Sequence, residues 1–488
     1  MVVTAARCSR ASASPVAVAK AQSGSLTLHP QQDDFPKSWG TSYSGKMFSQ
    51  ALGQDRVIHV YLPASFNTNT RKYPIIFLGD GEYYYEATVT AQRKLAAVGH
   101  IPECIVVAVE TPERRNDMTP KLMGNQNSDG DARAEKFLTF LAKELKPEIA
   151  ARFRGGAPCV LIGHSHGGLL CHYAAADWRK DFPFIVSLDA PAHLQDRWPE
   201  RRLANSIPAG GNLRLVSLEV RFGWTDKDWA NFTAKAPKNW KLIRAKLPDE
   251  DHEMMYFDGA YNGLKMVFGD YSAAKTKQLP GPDVFAYYEN LAKEYGAFPM
   301  PPKSLLDRAM FELSYTGNGP AARRALAMMT EGYGEPEDRA KLEQDIDKAE
   351  QMMKGKESVA QLLASPHPTE EQMRPYLGVW KEIKAPDEPG SEAETTVTLK
   401  TVNGIGQGQM ITTMPNGEKL VQDLVFMRMT SDGIEFGFMN GMHPRGVIAH
   451  GVRLNGGKLV GKWDFKGVYM EMPGMQRNRS LEFVRVSG

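Results

Sequence analysis

Apolar and polar positions follow three different rhythms along this chain. Between Ile58 and Tyr271, short and nearly unbroken apolar runs recur between longer stretches in which apolar residues return every third or fourth position. That is the rhythm of a sheet whose strands are joined by crossover helices. The runs predict strands at Ile58–Leu62, Ile75–Leu78, Ile105–Glu110, Val160–Gly163, Phe184–Leu188, Leu213–Val220 and Leu242–Leu247. Strands apolar on both faces are those of a mostly parallel sheet covered by helices on each side. The clearest helix is predicted at Ala132–Arg152, where Phe137, Phe140, Leu141, Leu145 and Ile149 share one face.

Past Tyr271 the rhythm becomes helical without intervening strands. Stretches such as Ala321–Met329 and Glu337–Met353 are rich in Ala, Glu, Lys and Met and poor in β-branched residues, so 276–365 reads as a helical connector. Beyond Ser365–Pro368 apolar and polar residues alternate, and turn signals stand at Pro415-Asn416-Gly417, Ser431-Asp432-Gly433 and Asn455-Gly456-Gly457. About eight such segments over 366–488 predict a closed antiparallel β-barrel, since closure removes exposed sheet edges.

Composition narrows the picture. At ~150 residues per domain, 488 residues suggest about three domains. Lysine plus arginine number 59 against 57 aspartate plus glutamate, and no segment has the basic excess that displaces counterions from nucleic acid. The longest apolar runs fall far short of the roughly 20 residues of a membrane-spanning helix. The cysteines, Cys8, Cys104, Cys159 and Cys171, have no CxxC spacing for a metal or redox site and read as small apolar residues. Residues 1–39 read as a disordered or targeting segment. Arg7, Arg10 and Lys20 stand there among alanines and serines, but the apolar run Val16–Ala19 is too short for a secretory signal. The chain is expected to be soluble, cytoplasmic or exported.

The sharpest chemical signal is Gly163-His164-Ser165-His166-Gly167-Gly168, with the strand Cys159–Ile162 before it and the helix-like Leu169–Ala176 after it. A serine on such a strand–turn–helix junction is held clear of the sheet at a helix N-terminus, where developing negative charge is favoured. Ser165 is therefore the expected nucleophile. A hydroxyl needs a base, which in this chain order follows the last strand; His252, directly after Leu242–Leu247, has that place. The expected acid is Glu219, an ionisable residue closing an apolar strand, with Asp226 and Asp228 as competitors in the next loop. Asp189 ends the strand before that, earlier than the usual order places an acid. Oxyanion donors are expected from the backbone N–H of His166 and from the loop Gly79–Tyr85, at Glu82. Tyr83, in the same loop, either walls a substrate pocket or packs.

Gly163–Gly168 and His252, with Ile75–Glu82, Ile101–Val109, Arg115–Pro120 and Tyr261–Lys265, resemble the putative esterase family of α/β-hydrolases, the group of esterase D, enterochelin esterase and the feruloyl and acetyl-xylan esterases. The resemblance spans roughly residues 40–271. It implies an α/β-hydrolase domain at 40–275 and a carboxylic ester hydrolase that works on a small-molecule ester through an acyl-serine, with no metal and no cofactor. It also puts Arg115 near the active-site mouth, free to meet an anionic group unless it pairs with Asp117. Tyr376-Leu377-Gly378-Val379-Trp380 is similar to the G-x-W start of a lipocalin-like barrel. Two other readings stand beside ester hydrolysis: acyl transfer to an alcohol by the same residues, and a catalytically dead domain whose barrel binds the ligand.

Overall fold

The computed structural model describes residues 25–30, 39–121, 132–195, 197–272, 281–315, 318–353, 365–384, 392–402, 405–440, 443–466 and 478–487. Of the expected targeting or disordered segment 1–39, residues 25–30 and 39 are described, and Thr27–Pro30 there is a strand of the sheet; the rest lies outside the described residues.

The nine strands of the first sheet are β1 (Thr27–Pro30), β2 (Thr41–Ser49), β3 (Gln54–Leu62), β4 (Tyr73–Leu78), β5 (Ile105–Val109), β6 (Gly155–His164), β7 (Phe184–Leu188), β8 (Arg214–Glu219) and β9 (Lys241–Lys246), in the order β1-β2-β3-β5-β4-β6-β7-β8-β9. Strands β4 to β9 run parallel, while β1, β2 and β3 form an antiparallel edge. Every predicted strand is present, and the predicted strand at Ile58–Leu62 belongs to that antiparallel edge.

The helices that accompany the sheet are α1 (Gly81–Ala97), α2 (Arg114–Met118), α3 (Ala134–Thr139), α4 (Lys146–Phe153), α5 (His166–Asp177), α6 (Trp198–Asn205), α7 (Asp226–Lys235) and α8 (Tyr256–Val267), with a π-helical turn at Phe140–Leu145 joining α3 to α4. The period of two along each strand sends alternate side chains to opposite layers. Ile75 and Phe77 of β4 pack with α2 to α7, and Ile76 and Leu78 pack with α1 and α8. Both faces are thus dry, which is why the sequence showed unbroken apolar runs rather than alternation.

Residues 281–353 hold four helices, at Gly281–Tyr295, Lys303–Tyr315, Gly319–Tyr333 and Arg339–Met353. The first is more than a connector, because Val284, Tyr288, Leu291 and Tyr295 join the core beneath α1 and α8. The others close around Leu306, Ala309, Ala325, Leu326 and Met329. Strands β10 (Gly378–Glu382), β11 (Glu394–Val402), β12 (Ile405–Thr413), β13 (Lys419–Thr430), β14 (Gly433–Asn440), β15 (His443–Asn455), β16 (Lys458–Lys466) and β17 (Asn478–Ser487) form a closed barrel, β17 pairing with β10. Its core is its own: Trp380, Leu399, Met427, Phe436, Phe438, Val452 and Phe483 are buried together. Trp380 donates its indole N–H to the Tyr376 carbonyl at 2.8 Å and lies under the Arg485 guanidinium. Among the described residues no helix is long and apolar enough to cross a membrane.

Candidate active site

β6 ends at His164 and α5 begins at His166, so Ser165 alone turns the chain from strand to helix. It does so at φ 56° and ψ −116°, a conformation an L-residue holds only when its surroundings enforce it. The enforcement is visible. The Ser165 N–H donates to the Leu188 carbonyl at 2.9 Å, and the Leu169 N–H donates to the Ser165 carbonyl at 3.0 Å. A Cβ on Gly163 would stand 2.4 Å from the Gly167 carbonyl oxygen, and one on Gly168 would stand 2.9 Å from that of Leu188. The glycines flanking the serine are there because backbone fills the space a side chain would need.

His252 lies in the turn between β9 and α8. Its Nε2 is 3.2 Å from Ser165 Oγ, and its Nδ1 is 2.6 Å from Asp189 Oδ2. With Nδ1–H donating to the carboxylate, Nε2 is the lone-pair nitrogen that faces the hydroxyl. Asp189 follows β7 and is fully buried. Its other oxygen, Oδ1, accepts three consecutive backbone N–H groups, from Val220 at 2.8 Å, Arg221 at 2.9 Å and Phe222 at 2.7 Å. Charge-assisted bonds of this kind offset the desolvation of a buried carboxylate. The His252 ring is flanked by His164 at 4.7 Å between centroids and by Phe222, edge-on, at 5.1 Å.

Glu219, expected beside His252, stands elsewhere. Its Oε1 accepts the Trp224 N–H at 2.9 Å and its Oε2 the Arg244 Nε–H at 2.8 Å. The carboxylate on the imidazole is that of Asp189. β7 lies next to β6, so a residue closing β7 leaves the sheet beside the serine, whereas Glu219 is one strand farther and is taken by Arg244 from β9. Of the two competitors, Asp226 is exposed and paired with Arg244, and Asp228 bonds Thr225 at the start of α7.

The model of the family described as "Putative esterase" matches residues 49–256, the segment that carries Ser165, Asp189 and His252. Those residues form an esterase-family domain, and the chain is an ester-hydrolysing enzyme. A protein of Bacillus subtilis (strain 168) described as uncharacterized protein YjcH is 24% identical over 239 residues, which cover 46% of this chain and 91% of YjcH. Among solved structures, an IroE-like serine hydrolase from Shewanella oneidensis is similar at 22% identity and a TM-score of 0.48, covering 64% of this chain and 99% of its own. The siderophore hydrolase EstB from Aspergillus nidulans is similar at 17% identity and a TM-score of 0.42, covering 50% of this chain and 98% of its own.

The remaining expected residues of the esterase domain surround the same strand ends. β4 and β6 are parallel neighbours, so α1 and α5, packed on opposite faces of the sheet, both begin at the carboxyl end of the strands, where their first turns contain Glu82 and His166. The Glu82 carboxylate accepts the Thr111 N–H at 3.2 Å. Tyr83 points outward and is 72% exposed, whereas Tyr84 turns in, its OH 2.9 Å from His164 Nδ1 and its ring stacked on Tyr256 at 3.8 Å. Burial, then the neighbouring His252, pushes His164 down to about 4, so its ring is neutral at ordinary pH.

Arg115 is exposed, and the Asp117 carboxylate is held by Arg56 at 2.7 Å and Arg133 at 3.0 Å rather than by Arg115. It is Arg114 that reaches inward. Its Nε donates to Asp80 Oδ2 at 2.7 Å and its terminal nitrogen to the His164 carbonyl at 3.0 Å, tying the Gly79–Tyr85 loop to the serine turn. Spacing could not separate two adjacent arginines. Asp189 did leave a signal, a lone carboxylate closing the apolar run Phe184–Leu188, which an assumed strand order set aside.

Proposed function

We propose that the chain is a carboxylic ester hydrolase acting through Ser165, His252 and Asp189 by way of an acyl-serine. The observation that carries the reading is the pair of distances on the His252 ring, 3.2 Å to Ser165 Oγ and 2.6 Å to Asp189 Oδ2.

Ser165 Oγ attacks the acyl carbon as His252 Nε2 takes its proton, and the carbonyl oxygen becomes an oxyanion. The backbone N–H groups of His166 and Glu82, each in the first turn of its helix, are the donors proposed for that oxygen, helped by two helix dipoles. His252 returns the proton to the leaving alcohol oxygen, which leaves an acyl ester on Ser165. Water then repeats the sequence: His252 takes its proton, the hydroxyl attacks the acyl carbon, and Ser165 Oγ recovers its proton as the acid departs. Asp189 remains ionised throughout, fixing the imidazole orientation and stabilising the imidazolium. Arg114 on Asp80 balances a buried negative charge that would otherwise oppose an oxyanion nearby. The substrate is a small-molecule ester, with Tyr83 and Arg115 as outward-facing candidates to meet it.

Rapid mixing with p-nitrophenyl acetate tests the reading. A burst of p-nitrophenol equal to the enzyme concentration, followed by a slower steady rate, is expected if deacylation limits. Unchanged steady hydrolysis by Ser165→Ala would overturn it.

A further inference from the structure

The loop Val220–Trp224, between β8 and α7, touches the proposed triad in two ways. Its first three N–H groups converge on Asp189 Oδ1, and the Phe222 ring stands edge-on to His252, backed by His193 at 4.8 Å. A five-residue loop needs an anchor to hold both contacts at once, and the far end of this one is bound three times. The Trp224 N–H donates to Glu219 Oε1 at 2.9 Å, the Trp224 carbonyl accepts from Arg244 at 2.7 Å, and the Gly223 carbonyl accepts from Arg197 at 3.0 Å. Arg244 in turn grips Glu219 Oε2 at 2.8 Å. The fit leaves no slack: Gly223 has φ 140°, and a Cβ there would lie 2.4 Å from the Glu219 carboxyl carbon. Glu219 is buried, a costly place for a carboxylate unless its bonds matter.

We propose that Glu219 and Arg244 are positioning residues for the triad, pinning the end of the Val220–Trp224 loop so that its amides stay on Asp189 and the Phe222 ring stays against His252. The inference rests on the triad reading above and adds residues that touch neither substrate nor reacting atoms. Glu219→Ala removes both anchors of the carboxylate. Glu219→Gln keeps a carbonyl oxygen for the Trp224 N–H and loses only the ion pair. Arg244→Gln releases the Trp224 carbonyl from the other side.

The test is a double-mutant cycle on p-nitrophenyl acetate, with thermal melting of every variant as a check on folding. Glu219→Ala is expected to lower kcat about 10- to 100-fold with KM within about twofold, the scale of a small misplacement of catalytic groups. Glu219→Gln and Arg244→Gln should fall between it and wild type. In an Asp189→Asn background the same Glu219→Ala change should cost several-fold less than in the wild-type background, because the part of its effect that passes through Asp189 is already lost and only the Phe222 contact on His252 remains to be disturbed. Equal costs in the two backgrounds, or a Glu219→Ala enzyme as fast as wild type, would overturn the proposal while leaving the triad standing. An Asp189→Asn enzyme at full rate would overturn the triad reading first and the proposal with it. If Glu219→Ala fails to fold, Arg244→Gln in the two backgrounds decides by the same criterion.

Discussion

The carbonyl of Leu188 accepts the N–H of Ser165 at 2.9 Å, and the next residue, Asp189, holds His252 through its side chain. One strand end thus fixes the backbone of the serine and the ring that faces it. Their separation is set by main-chain geometry and a buried carboxylate rather than by two flexible side chains.

Replacing that carboxylate with an amide should therefore be costly. Asp189→Asn is expected to lower kcat by roughly 10⁴-fold, since the amide favours the wrong imidazole tautomer and gives the imidazolium no counter-charge. Asp226→Asn and Asp228→Asn should stay near the wild-type rate. Steady-state kinetics on a p-nitrophenyl ester separates the cases, and a fast Asp189→Asn enzyme would place the acid elsewhere.

Most of the fold was legible because both faces of its central strands are dry: β4 to β8 each left an apolar run in the sequence. β1 and β2 were not legible. They lie at an antiparallel edge, and Thr41-Ser42-Tyr43-Ser44-Gly45 has the polarity of a loop. Ser165 and His252 could be read because a strand–turn–helix junction and a place after the last strand are local properties. The choice between Glu219 and Asp189 depends on which strand neighbours β6 and on Arg244 reaching across from β9, neither of which is written locally. The helix Gly281–Tyr295 shows the same limit, since its period gives an apolar face but not the surface it covers.

His172 links folding to pH. Burial pushes it down to about 3 from an ordinary 6.5, Arg197 adding to the effect, and neither ring nitrogen has a hydrogen-bond partner among the described residues. The unfolded chain then binds a proton between these values that the folded chain does not. This residue's contribution to stability is whole above pH 6.5 and falls away as the pH drops toward 3. His164 has the same sign, whereas Glu200, pushed up to about 7 by burial, works the opposite way between 4.5 and 7. A difference measurement isolates the histidine. The Tm of His172→Phe relative to wild type should rise as the pH is lowered from 7 to 5, and parallel curves would contradict the assignment.

The cores predict where the chain can be divided. The barrel buries its own apolar residues, and the helix Gly281–Tyr295 shares a core with α1 and α8. Residues 1–360 should then be soluble and keep esterase activity, residues 365–488 should melt cooperatively by themselves, and residues 1–275 should aggregate through the uncovered Val284–Tyr295 contact surface. Activity in the 1–275 fragment would mean that the helix is dispensable.

In the proposed mechanism Ser165 is the group that carries the acyl chain. Wild-type protein, treated with a fluorophosphonate and digested, should show the phosphonyl adduct by mass spectrometry on the peptide containing Ser165 and lose ester hydrolysis in proportion to labelling. Ser165→Ala, folded by circular dichroism, should take up no label. An adduct at another serine that persists in the Ser165→Ala protein, with hydrolysis intact, would contradict the account.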